Sequence, residues 1–160
     1  MNHMMQLTSL FVLLVFSSFN ALFASADAIT DQAQGAKLIY LDFWASWCAP
    51  CKASFPWMNQ LHQDLSDQGV KIIAVNLDSR KERADAFLMQ YPARFTVIFN
   101  PESDLARAYN VQGMPHSFIL DAQGKVLYQH IGFKRHETDP LRKKIEYFLH
   151  HADTAATAAL

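Results

Sequence analysis

The chain has 160 residues, 51% apolar and 18% charged, and its 14 basic side chains meet 15 acidic ones for a net charge of -1. That composition belongs to a globular protein and excludes disorder and collagen-like repeats. It offers no basic stripe interleaved with aromatics, so a nucleic-acid partner is not expected.

Residues Met1 to Ala26 contain no Asp, Glu, Lys or Arg, and an apolar run from Leu10 to Phe16 leads to Ala24-Ser25-Ala26. This reads as a secretory signal peptide with a small-residue cleavage site. Only His3 and the terminal amine supply positive charge ahead of the run, which leaves an uncleaved membrane anchor as the alternative. Export places the chain in an oxidising compartment, most simply a bacterial periplasm. Residues 27 to 36 are polar and are expected to be mobile. A single domain should then occupy 37 to 151.

Lys37 to Trp44 is a nearly continuous apolar run rich in strand formers, which suits a strand covered on both faces. Residues 49 to 67 place Phe55, Met58, Leu61 and Leu65 at intervals of three or four, the pattern of an amphipathic helix, with Pro56 inside it and Gly69 as a stop. Val70 to Leu77 is a second buried strand. Arg80 to Tyr91 is a second helix, ended by Pro92. Phe95 to Phe99 gives a third strand, and Glu102 to Tyr109 a brief helix. Ser117 to Asp121 and Lys125 to Ile131 flank a turn at Gly124 and read as a β-hairpin. The last helix opens on Asp139 and Pro140 and buries Leu141, Ile145, Phe148 and Leu149. The Ala/Thr-rich tail, 152 to 160, is expected to be flexible. Strands alternating with helices, then a hairpin and a closing helix, specify an α/β fold with a mixed central sheet flanked by helices on both faces.

Two cysteines, Cys48 and Cys51, are too few for a disulfide scaffold. Closing so short a loop stabilises a fold by only about 2 kcal/mol before strain, so their role is chemical. They lie between a predicted strand and a predicted helix, where unpaired backbone N–H groups and the helix dipole favour a thiolate. Cys48 is expected to be exposed and to attack a substrate disulfide; Cys51, one turn deeper, resolves the mixed disulfide. Pro50 fits the first helical turn and stiffens the loop. Tetrahedral zinc would need four ligands, and no second CxxC or HxxxH pair supplies them.

The segment Asp42-Phe-Trp-Ala-Ser-Trp-Cys-Ala-Pro-Cys-Lys52 resembles the active-site segment of the thioredoxin superfamily. Pro56 matches that family's helix proline, and Gly113-Met114-Pro115 is similar to its cis-proline loop. Ala74 to Asp78 and Leu105 to Asp121 look like the TlpA/ResA-like branch of exported thiol-disulfide oxidoreductases. The resemblance covers roughly residues 37 to 150. It implies a thioredoxin fold whose CxxC reduces disulfides in proteins outside the cytoplasm, recharged by a membrane electron donor of the thiol-reducing type. No cofactor beyond the Cys48-Cys51 couple is implied, and a monomer is expected.

Several members of that branch carry a glutamate three residues after the second cysteine, where this chain has Ser54. The base that takes the proton of Cys51 is therefore assigned to Asp42, whose position in an apolar strand should raise its pKa and which matches the buried aspartate of thioredoxin. Pro115 is expected to be cis, with the main chain of Met114 pairing with an extended substrate segment. Trp47 should form an apolar contact surface beside the cysteine, whereas Trp44 reads as packing. His116 follows the cis-proline where Thr or Ser is usual. It opens two alternatives to the reductase: copper held by Cys48, Cys51 and His116, or a thioredoxin-fold binding module whose cysteines cycle rarely.

Overall fold

Leu38–Trp44 is buried at every position, and the reason is its place in the sheet. As β1 it sits at the centre of five strands, β2 (Val70–Asn76), β3 (Thr96–Phe99), β4 (His116–Asp121) and β5 (Val126–Ile131), in the order β3-β2-β1-β4-β5. It pairs in parallel with β2 and antiparallel with β4. The computed structural model describes residues 28–158, with side chains to 152. The expected signal peptide, 1 to 26, lies outside the described residues.

Strand alternation sends Leu38, Tyr40 and Trp44 into one apolar cluster and Ile39, Leu41 and Phe43 into another. The first cluster is covered by α2 (Ala49–Leu65), α3 (Lys81–Gln90) and α5 (Thr138–Ala158). The second is covered by α1, whose described residues are 28–32, and by α4 (Asp104–Ala108). Helices on both faces account for the absence of polar alternation in β1. This is the mixed sheet and thioredoxin-like layering that the sequence implies.

α2 runs unbroken through Pro56 and buries Cys51, Ser54, Phe55, Met58, Leu61 and Leu65. A 3-10 turn at Ser66–Gln68 follows it, ending on Gly69 at φ 99°, where a Cβ would meet the Lys37 side chain at 2.9 Å. Both the left-handed backbone and the close approach require glycine there. Trp44 locks the helix to the sheet, its ring centroid 4.8 Å from Phe55 and 4.7 Å from Phe87.

One expectation is corrected. The polar stretch 27 to 36 is not a featureless mobile segment: residues 28–32 are helical, and Ile29 and Ala33 are buried at 0% and 4% exposure against the second cluster. Two apolar side chains in a polar run suffice to dock it. The backbone of α5 continues to Ala158, which its alanines favour. Arg142 on α5 reaches Asp64 of α2 at 2.6 Å and ties the two helices together.

Candidate active site

The end of β1 and the start of α2 are joined by Ala45, Ser46 and Trp47, and this loop determines where Cys48 stands. Cys48 is the N-cap of α2, with extended φ and ψ of -78° and 105°, and its Sγ accepts from the backbone N–H of Cys51 at 3.3 Å. A sulfur at this position faces the unpaired donors of the first turn, where negative charge is stabilised. No acidic residue lies in that turn to oppose it. Pro50 occupies the first turn at no cost in hydrogen bonding.

Cys48 and Cys51 are joined by a disulfide, with Cα atoms 5.3 Å apart. Cys48 is not the openly exposed sulfur expected from the sequence: it is 4% exposed and Cys51 0%. Both lie in the apolar cluster beneath α2, and an N-cap position alone does not reveal what packs around it. The order of access is nevertheless as expected, since what exposure the pair has belongs to Cys48. Around it, Trp47 is 66% exposed, and Ala49 and Pro50 are also exposed. Trp47 and Pro50 thus stand at the surface beside the disulfide.

Asp42 is 1% exposed, on the sheet face that α2 covers. Its Oδ1 accepts from Ser117 Oγ at 2.7 Å, while Oδ2 is buried without a hydrogen-bond partner. Its neighbour on β2 is Ala74, so no cation compensates the carboxylate from that strand. Burial pushes the Asp42 pKa up to about 7, against the opposing effect of the Ser117 hydroxyl. A carboxyl poised at that value can both take and return a proton near neutrality.

The loop before β4 emerges at the same end of the sheet, because His116 at the start of β4 pairs with Phe43 near the end of β1. Within it the Met114–Pro115 bond is cis, as expected from the sequence. Pro115 is buried and Met114 half-buried against the cluster that holds both cysteines. A cleft of about 410 Å³ borders Met114, with Leu77, Arg107 and Val111 among its walls.

His116 belongs to the other side of the sheet. Its cross-strand partner is Phe43, and its ring lies 4.3 Å from that of Phe118, both members of the second cluster. Its Nδ1 accepts from the backbone N–H of Gln112 at 3.4 Å, and burial pushes its pKa below the ordinary imidazole value. The packing of a core histidine describes it better than that of a ligand. Among the described residues, no group of three or more His, Cys, Asp or Glu side chains could hold a metal ion.

Two features of the site escape sequence reasoning. Ser117 is one. The other is a clamp on the loop ahead of Cys48: Asp78 receives the N–H of Ser46 on Oδ2 and its hydroxyl on Oδ1, both at 2.8 Å, and the Asn76 amide also donates to Oδ2 at 2.8 Å. A signal exists in hindsight, since Asn76 and Asp78 are polar residues closing an apolar strand. Both are 2% exposed or less.

Comparison with known proteins agrees with this geometry. The chain is 35% identical over 96 residues to the thiol-disulfide oxidoreductase ResA of Bacillus cereus, covering 60% of this chain and 56% of that protein. It matches ResA of Bacillus subtilis at 35% identity over 57% of this chain and 51% of the relative. The chain thus spans about half the length of the curated relatives it matches. Among solved structures, one assigned as a thiol:disulfide interchange protein DsbE from Chlorobium tepidum superposes with a TM-score of 0.72 at 47% identity, covering 76% of this chain and 84% of that one. Residues 18–129 match the model of the AhpC/TSA family, and the chain belongs to that thioredoxin-like family.

Proposed function

We propose that this protein is a thiol-disulfide oxidoreductase that reduces disulfides in exported proteins by dithiol-disulfide exchange through Cys48 and Cys51. The observation that carries the reading is the disulfide itself: a redox pair at the N-terminus of α2, with the more accessible sulfur as N-cap.

In the reduced protein, the Cys48 thiolate attacks one sulfur of a substrate disulfide. A Cys48–substrate bond forms, and the other substrate sulfur leaves as a thiolate and takes a proton. Cys51 then gives its thiol proton to the Asp42 carboxylate and attacks Cys48 Sγ. The Cys48–Cys51 disulfide forms, the second substrate sulfur departs as a thiolate and takes a proton, and Asp42 gives up the proton it received from Cys51. Two electrons pass from the dithiol to the substrate. Trp47 supplies an apolar surface for the incoming chain, and Met114 a main-chain edge for an extended segment. A thiol-reducing membrane electron donor restores the dithiol. The reading of residues 1 to 26, which hold no Asp, Glu, Lys or Arg, as a signal peptide supports a periplasmic location, and a monomer is the expected state.

The copper reading requires Cys48, Cys51 and His116 on one ion, and the placement of His116 against Phe118 speaks against it. An insulin-reduction assay with dithiothreitol tests the enzyme reading. The protein should accelerate turbidity, and Cys48→Ser should abolish the acceleration; an unchanged rate in that variant excludes the mechanism and leaves the binding-module reading.

A further inference from the structure

Asp42 has a hydrogen-bond partner to which the exchange chemistry gives no part. Ser117 stands directly opposite it across β1 and β4, its hydroxyl 2.7 Å from Oδ1, and the two are 4% and 1% exposed. Tyr40, two residues before Asp42 and on the same face, is 2% exposed, and burial together with the nearby Asp42 charge raises its pKa. From the elements packed on this face, α2 contributes Cys51 and Ser54, and the buried residues of α3 and α5 are apolar. The same rung continues to His130 on β5, which reaches Glu137 at 3.4 Å. No cation faces Asp42 from β2, where Ala74 is its partner.

We propose that Ser117 is a positioning residue for the exchange reaction, holding the Asp42 carboxyl in place and governing when it accepts a proton. This rests on the reading of Asp42 as the base for Cys51. A hydroxyl is both donor and acceptor. Toward the carboxylate, Ser117 donates, which stabilises the charge where desolvation opposes it. Toward the protonated carboxyl, the same Oγ accepts from Asp42. Asp42 therefore keeps a hydrogen bond in both states, and neither state is stranded in the core. An alanine at 117 leaves the ionised form without a donor, so Asp42 would hold its proton to higher pH.

The test is a ¹³C NMR titration of the Asp42 carboxyl in the oxidised protein, beside the pH profile of Cys51 alkylation in the reduced one. Ser117→Ala should raise the Asp42 midpoint by about one to two pH units, and Ser117→Thr should return it to the wild-type value. The alkylation profile should shift the same way in Ser117→Ala, and not when Ser117→Ala is added to Asp42→Asn. Should Ser117→Ala fail to fold, Ser117→Cys retains the shape with a weaker donor and should give a smaller upward shift. An unmoved midpoint in a folded variant, or an alkylation shift that persists without the carboxylate, overturns the proposal. If Asp42→Asn alone leaves the Cys51 profile unchanged, the base reading fails, while the NMR midpoint still decides the role of Ser117.

Discussion

Ser46 gives both its backbone N–H and its hydroxyl to the carboxylate of Asp78, each at 2.8 Å, across 32 residues of sequence. The pair fixes the loop that leads into Cys48 against the end of β2. Asp78→Ala would strand the Ser46 N–H and the Asn76 amide, both part-buried or buried. Because hydrogen bonds to a charged group contribute roughly 1.5–3 kcal/mol, the variant should lose stability on the order of 2–3 kcal/mol in urea unfolding of the oxidised protein. Asp78→Asn keeps one acceptor and should lose less. An Asp78→Ala variant as stable as wild type would show that the clamp does not hold the loop.

Asp42 makes stability depend on pH in a defined direction. Its folded pKa of about 7 lies above the ordinary carboxylate value of 3.8, so between these values the folded state binds more protons than the unfolded one. Stability from this group is complete below pH 3.8 and is lost as pH rises through about 7. The full effect corresponds to about 4 kcal/mol by linkage. Asp42→Asn removes the titration, so the variant should gain on the wild type progressively from pH 4 to pH 8 in chemical denaturation. Parallel stability curves for the two proteins would show that Asp42 is not buried as an uncompensated carboxyl.

Trp47, 66% exposed beside a disulfide that is itself covered, adds little to the fold and is available to substrate. Trp47→Ala should change stability by less than about 0.5 kcal/mol. It should lower turnover of a protein disulfide several-fold and leave reduction of a small soluble disulfide nearly unchanged. Equal losses on both substrates would remove Trp47 from substrate contact.

His116 bears on the copper alternative. Since its ring packs on Phe118 and not with the cysteines, His116→Ala should leave copper(I) affinity of the reduced protein unchanged. Loss of tight, stoichiometric copper in that variant would bring the carrier reading back.

The sequence and the structure agree where the signal is local and differ where it is not. β1 was legible because burial on both faces leaves an unbroken apolar run from Leu38 to Trp44, and the cysteine pair because strand, loop and helix follow one another directly. Asp42 was legible as a carboxylate inside that run. Its partner was not: Ser117 is 75 residues away, and a serine in a strand does not say what it faces. Asp78 was hidden for the same reason. The cover over Cys48 is not legible, because the helix N-terminus predicts the charge a sulfur prefers, not what packs on it. His116 was ambiguous until the register placed it opposite Phe43.

The pH dependence of alkylation of each cysteine in the reduced protein, resolved by mass spectrometry, tests most directly whether Cys48 is the ionised attacking sulfur. The account predicts that Cys48 reacts first, with an apparent pKa well below the free-thiol value of about 8.5, and that Cys51 reacts slowly at neutral pH. If Cys48 titrates at or above the free-thiol value, or if Cys51 is modified as fast, the assignment of nucleophile and resolving thiol is contradicted.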